Sequence, residues 1–182
     1  MAGLILILES AGGRSASSNF PPLVTSGVQL QVQYDLLQKN FTQDQLKVHK
    51  SLDTNVVIIK LFPGIQTSVL NAIFETPNLK GVVLETYGSG NATTESWFLE
   101  LIKTAISKGI YIVNVTQCSG GMVHMGHYET SKKMCELGVI SAKDMTTEAA
   151  ITKLMYLLGK GTSKNTFKVV FETSIRGELT EN

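Results

Sequence analysis

The stretch Gly81-Val-Val-Leu-Glu-Thr-Tyr-Gly-Ser-Gly-Asn-Ala92, read with Gly109-Ile-Tyr-Ile-Val-Asn-Val-Thr-Gln-Cys118, decides the fold. Each segment begins with a short, β-branched apolar run and ends in polar residues. Between them Phe98, Leu101, Ile102, Ala105 and Ile106 recur at helical spacing. The pattern is strand, glycine-rich loop, helix, strand, polar loop: one βαβ unit. Such a unit is right-handed and puts both loops outside the carboxyl ends of its strands. Open α/β sheets hold ligands at that edge. Thr86, Tyr87, Ser89 and Asn91 are therefore expected beside Thr116, Gln117 and Cys118. Thr93 or Thr94 is the expected N-cap of the helix, and Gly109 sits where a C-terminal cap belongs.

The same alternation extends to both sides. Val56 to Phe62 is a nearly continuous apolar run, expected as a strand buried on both faces. Pro63-Gly64 ends it. A helix follows through Ile65, Val69, Leu70, Ile73 and Phe74, and Pro77 cannot extend it. Beyond Cys118 comes a loop rich in Gly, Met and His, then a helix over about 128–137 capped by Gly138, and a short strand at Val139–Ser141. Thr146 is the expected N-cap of the next helix, with a buried stripe of Ala150, Ile151, Leu154, Leu157 and Leu158. Lys164 to Glu172 forms a last helix or extended segment, and a polar tail follows.

The expected fold is α/β: a flavodoxin- or Rossmann-like three-layer domain with a small parallel sheet, its core at 55–172. A linker and a β-hairpin precede it. Residues 1–24 read as an N-terminal strand and a linker, and 25–182 as the main domain. The hairpin is expected at 28–49, because Val28 to Tyr34 alternates apolar with Gln and Gln45 to His49 repeats the alternation weakly.

Composition narrows the function classes. The 182 residues carry a net charge of +1, which argues against nucleic acid or an anionic membrane as partner. No window approaches the ~20 apolar residues of a membrane span. Two cysteines are too few for a disulfide framework and match no zinc spacing, so a reduced, cytoplasmic setting is expected.

The loops themselves yield no complete catalytic set. Gly88-Ser-Gly-Asn91 lacks the third glycine of a dinucleotide fingerprint. Its glycines still permit close backbone approach to a ligand, and Asn91 offers an amide; a plain turn with Asn91 capping the helix explains the residues equally well. Cys118 with His124 or His127 as base would make a nucleophile pair, but a lone cysteine at a strand end reads first as a small buried hydrophobe. His124 and His127 lack a third metal ligand nearby, so no metal or cofactor is assigned. Asp144 and Glu148 read as helix-start charges. Arg176-Gly-Glu178 fits either a surface ion pair or a partner contact.

The landmarks Asn19-Phe-Pro-Pro-Leu23, Phe62-Pro-Gly-Ile65, Leu84-Glu-Thr-Tyr-Gly-Ser-Gly-Asn-Ala92, Val113-Asn-Val-Thr-Gln-Cys118, Asp144-Met-Thr-Thr-Glu-Ala149 and Arg176-Gly-Glu-Leu179 occur in one order and spacing. In these the chain resembles the C-terminal domain of type I (cytoplasmic) L-asparaginases, in register from about Ser18 to Leu179. That family hydrolyses L-asparagine to L-aspartate and ammonia with a threonine nucleophile in an N-terminal domain. The Thr-Gly-Gly-Thr and Gly-Thr-Asp-Thr motifs that carry the chemistry do not occur in this sequence, and Ala11 stands in the segment that most looks like the first. The resemblance implies that the catalytic residues lie elsewhere and that Asn91 completes a neighbouring subunit's substrate site. It further implies that Thr86, Gly90, Asn91, Thr116, Cys118 and Glu85 line a cleft for asparagine as effector. Glu85 departs from the pattern, since an Arg holds the effector carboxylate in well-characterised bacterial members, and a carboxylate there repels it. The implied partners are a catalytic N-terminal domain, L-asparagine and further copies of the chain. A stand-alone amino-acid-binding or assembly domain is the competing expectation.

Overall fold

The computed structural model describes residues 21–37, 48–126 and 128–181, and the chain divides into two compact units, 1–50 and 51–182. In the first unit, β1 (Val24–Ser26) pairs antiparallel with β2 (Leu30–Val32). In the hairpin expected at 28–49, the first arm is thus seen paired with the segment before it. Gly27 permits a tight connection after Ser26, so the alternating Gln-rich run pairs with the segment before it. Of the expected second arm, 45–47 lie outside the described residues and 48–49 are not in a strand. The expected strand at the N-terminus and most of the linker also lie outside them.

The second unit contains a four-stranded parallel sheet in the order β3 (Val56–Lys60), β4 (Gly81–Thr86), β5 (Tyr111–Thr116) and β6 (Ile140–Ser141). Each connection advances one strand in the same direction. Right-handed crossovers then place all three connecting helices on one face. These are α1 (Thr67–Phe74), α2 (Ser96–Ser107) and α3 (Glu129–Leu137). Leu70, Phe74, Phe98, Ile102, Ala105 and Met134 from these helices bury against Ile59, Val82, Leu84 and Ile112. The other face is left for the helices that follow the last strand, α4 (Thr147–Gly159) and α5 (Lys164–Phe171). There Ala150, Leu154, Leu157, Phe167 and Phe171 pack on Val83, Val113, Val115 and Ile140. Strand side chains alternate between the two cores, as a period of two requires.

Helix ends follow their local chemistry. α2 closes in a Schellman motif: Gly109, at φ +89°, donates to Ile106 O (2.9 Å) and Ile110 donates to Ala105 O (3.1 Å). Thr146 caps α4 by accepting from Ala149 N at 3.2 Å. The start of α2 differs from expectation. Its N-cap is Glu95, and the Thr93 hydroxyl instead accepts from Glu95 N (3.3 Å), forming a turn one step earlier. β3 also differs. Strand order makes it an edge, so Ile58 remains 47% exposed although its sequence reads as doubly buried. Among the described residues no helix is long and apolar enough to cross a membrane.

Candidate functional site

At the carboxyl ends of β4 and β5 the register pairs Thr86 with Thr116. Beyond Thr86 the backbone folds back on itself. Tyr87 and Asn91 form an antiparallel bridge, with Tyr87 N donating to Asn91 O (2.8 Å) and Asn91 N to Tyr87 O (2.8 Å). Gly90 is required inside that turn. Its φ is +101°, and a Cβ there would stand 2.7 Å from Val123 Cγ1 and 3.1 Å from Asn114 Nδ2.

A buried polar relay holds the turn against the sheet. Asn114 is fully buried in the middle of β5. Its Oδ1 accepts from Thr86 Oγ1 at 2.7 Å, and its Nδ2 donates to Gly90 O at 3.0 Å. Thr86 Oγ1 also lies 3.2 Å from Val115 O. The Thr116 hydroxyl donates to Gly88 O and accepts from Cys118 N at 3.0 Å. Gln117 donates through Nε2 to Leu61 O (2.6 Å) and Glu85 O (2.9 Å), tying the ends of β3, β4 and β5 together. No buried side-chain polar atom among the described residues lacks a partner, so the relay meets the requirement that buried donors and acceptors be paired.

Thr86, Gly90, Asn91, Thr116 and Cys118 thus gather in one hydrogen-bonded cluster. Their parts in it are unequal. Thr86 is fully buried and committed to Asn114, so it holds the loop. Asn91 is half-buried; its Oδ1 accepts from Ala92 N (3.0 Å), and its amide nitrogen has no hydrogen bond among the described residues. Cys118 is exposed, not a buried hydrophobe, because β5 ends at Thr116 and the chain turns outward there. Glu85 points to the opposite face of the sheet. It accepts from Thr147 Oγ1 at 2.7 Å, and Lys60 Nζ stands 3.7 Å from its other oxygen. A ligand touching both Glu85 and Asn91 would have to straddle the sheet end. His124 joins the cluster by donating its backbone N–H to Ser89 O at 2.9 Å, while His127 lies outside the described residues. Among the described residues no group of His, Cys, Asp and Glu could hold a metal.

Two buried polar placements, Asn114 and Lys153, are not foreseen from the sequence, and Gln117, expected at the loop pair, has a bracing part there that its position alone does not show. Asn114 interrupts an apolar strand, and a polar residue there is the signal of a buried network. Gln117 acts as a clamp on three strands. Lys153 falls on the buried stripe of α4 at the spacing of Ala150 and Leu157, and its amine is buried. It donates to Glu178 Oε1 (2.5 Å) and Thr173 O (2.6 Å), with the ammonium 5.3 Å from the centre of the Phe171 ring. Arg176-Gly-Glu178 is therefore no surface ion pair: Glu178 accepts from Lys153 and from the backbone N–H groups of Ile175 and Arg176. Burial alone would push the Glu178 carboxyl up, but those donors outweigh it and hold the group below the usual range. Burial pulls the Lys153 amine down, more than Glu178 raises it.

A four-stranded parallel sheet between two helical layers, with a hydrogen-bonded polar cluster at its carboxyl edge, defines an open-sheet α/β domain. The chain belongs to the Glutaminase/Asparaginase C-terminal domain family, whose model matches residues 55–171. Over 165 residues it is 39% identical to the 60 kDa lysophospholipase of Mus musculus, covering 90% of this chain and 29% of that protein. It is 35% identical over 165 residues to L-asparaginase 1 of Escherichia coli, covering 91% of this chain and 48% of the relative. The crystal structure of L-asparaginase I from Vibrio cholerae superposes with a TM-score of 0.83 at 34% identity, covering 91% of this chain and 50% of that one. The chain thus spans half or less of the length of these relatives.

Proposed function

We propose that this chain is the C-terminal, site-completing and effector-binding domain of an L-asparaginase, which hydrolyses L-asparagine with water to L-aspartate and ammonia. The observation that carries this reading is family membership over residues 55–171, together with 34–35% identity to bacterial L-asparaginases across 91% of the chain. The cluster's chemistry is in keeping with it. The gathered groups are neutral donors and acceptors, and the family's nucleophilic threonine motifs do not occur in the sequence. On this reading the nucleophile belongs to a catalytic N-terminal domain, and Asn91 reaches a neighbouring substrate site with its uncommitted amide nitrogen. The chain acts as part of an oligomer, in a cytoplasmic setting, without a cofactor.

Effector contacts are assigned to Asn91, Thr116, Cys118 and the backbone of Gly90. Thr86 is assigned a holding role because its hydroxyl is committed. Glu85 is assigned none, since its carboxylate is engaged by Thr147 and Lys60 on the other face. Titration of the chain with L-asparagine, followed by amide chemical shifts, tests the assignment. Gly90, Asn91, Thr116 and Cys118 should shift at millimolar ligand, and Asn91→Ala should abolish the response. Unmoved resonances would remove the effector role.

A further inference from the structure

The tail after α5 is wired to the candidate site from the far face of the sheet. Glu178 gathers the backbone N–H groups of Ile175 (3.0 Å) and Arg176 (2.6 Å) and the buried Lys153 amine, which fastens the segment 174–181 to α4. Leu179 buries beside it, and Ser174 N donates to Glu181 Oε1 at 2.7 Å. The next residue makes the long-range connection. Thr180 donates its N–H to Asp144 Oδ1 (2.8 Å) and its hydroxyl to Asp144 Oδ2 (2.5 Å).

Asp144 follows Lys143, a non-glycine residue at φ +53°, a conformation that persists only where surrounding bonds over-determine it. Lys143 O accepts from Val123 N at 2.8 Å. The next residue, His124, donates its N–H to Ser89 O at 2.9 Å, and Val123 is the side chain against which Gly90 fits. An open depression of about 330 Å³ is lined both by the tail, through Thr180, and by His124 of the 122–125 loop, with Lys143 and Lys168 between. Across it, hydrogen bonds through Asp144 and Lys143 connect the tail to the loop.

We infer that the C-terminal segment 174–181 is a positioning strap for the Ser89–Asn91 loop, acting through Asp144 and the 122–125 loop. This rests on the reading of Asn91 as a site residue. Asp144 is a positioning residue, and the Lys153–Glu178 pair is the strap's anchor. Contiguous hydrogen-bonded networks of this kind transmit local order, and releasing one end opens the segment without unfolding the sheet.

Amide hydrogen exchange on the whole chain tests the strap. In Asp144→Ala the amides of Val123, His124 and Asn91 should exchange at least about tenfold faster, while those of Val82 to Leu84 keep their rates. Thr180→Val retains the backbone bond to Asp144 and loses the hydroxyl donor. It should give the same pattern at about threefold, and it serves if the first variant folds poorly. Unchanged exchange at Val123, His124 and Asn91, or equal acceleration throughout the sheet, would overturn the inference. The measurement needs no ligand. A chain that exchanges as expected but shows no asparagine-induced shift at Asn91 would therefore count against the proposed function and leave the strap standing.

Discussion

The two faces of the sheet each bury a polar group where an apolar one would pack, and they do so differently. On the α1–α3 side the group is neutral: Asn114, held between Thr86 and Gly90. On the α4–α5 side it is an ion pair, Lys153 with Glu178, whose side chains are only 4% and 12% exposed. A neutral amide needs only its hydrogen bonds to be made, whereas an ion pair also loses hydration on both partners, so removing one partner leaves a buried charge. The neutral relay sits directly beneath the candidate site and fixes a backbone turn. The charged pair sits away from it and fixes the segment around Ile175 to Glu178. The comparison teaches that the sheet braces the candidate site's turn with a neutral relay on one face and holds the 174–181 segment with an ion pair on the other.

The largest effect should come from breaking the ion pair. Glu178→Ala leaves the Lys153 amine buried, and urea unfolding should show a loss of about 3–5 kcal/mol. The double variant Lys153→Met with Glu178→Gln, which keeps an acceptor for the Ile175 and Arg176 N–H groups, should be more stable than Glu178→Ala; a double variant no more stable than the single one would show that the buried amine is not the source. Next comes the neutral relay. Asn114→Ala strands Gly90 O and leaves the Thr86 hydroxyl only the longer bond to Val115 O, and should cost about 1–3 kcal/mol in the same assay. Gly90→Ala should fall in a similar range, about 1–3 kcal/mol, because positive φ and the Val123 contact both oppose a Cβ.

The pH response should be smaller and has a definite sign. The Lys80 ammonium, 2.6 Å away, and the Asn55 N–H hold the Asp53 carboxyl down to about 2 from 3.8. Glu178 is also held below its ordinary value. A carboxylate depressed in the folded state contributes stability above its unfolded pKa, and that contribution is lost as pH falls through the folded one. Thermal unfolding temperature should therefore decline from about pH 4 toward pH 2, and Asp53→Asn should flatten part of the decline. The smallest effect is expected for Thr146→Ala, about 1 kcal/mol, from loss of the α4 cap.

The α/β core was legible because its strands are short apolar runs punctuated by Pro and Gly, and its helices keep their apolar spacing. The loop pair at the sheet edge was legible for the same reason: a βαβ unit has one outcome. The edge position of β3 was not, since an apolar run does not declare how many neighbours it has, and Ile58 shows the result. The pairing of β2 with β1 was not legible, because alternation marks a strand without naming its partner. Lys153 was hidden in plain helical spacing, where a lysine is ordinarily solvent-facing; only the fold brings Glu178, 25 residues on, to meet it. Glu85 and Thr86 adjoin in sequence and face opposite layers, which a list of cleft residues conceals.

The most direct test of the central claim is ammonia release from L-asparagine by the purified chain. On the proposed reading, in which the nucleophile lies outside this chain, it should release ammonia no faster than a buffer blank, even at millimolar asparagine. Sustained, enzyme-proportional release that follows this chain through purification would contradict the account.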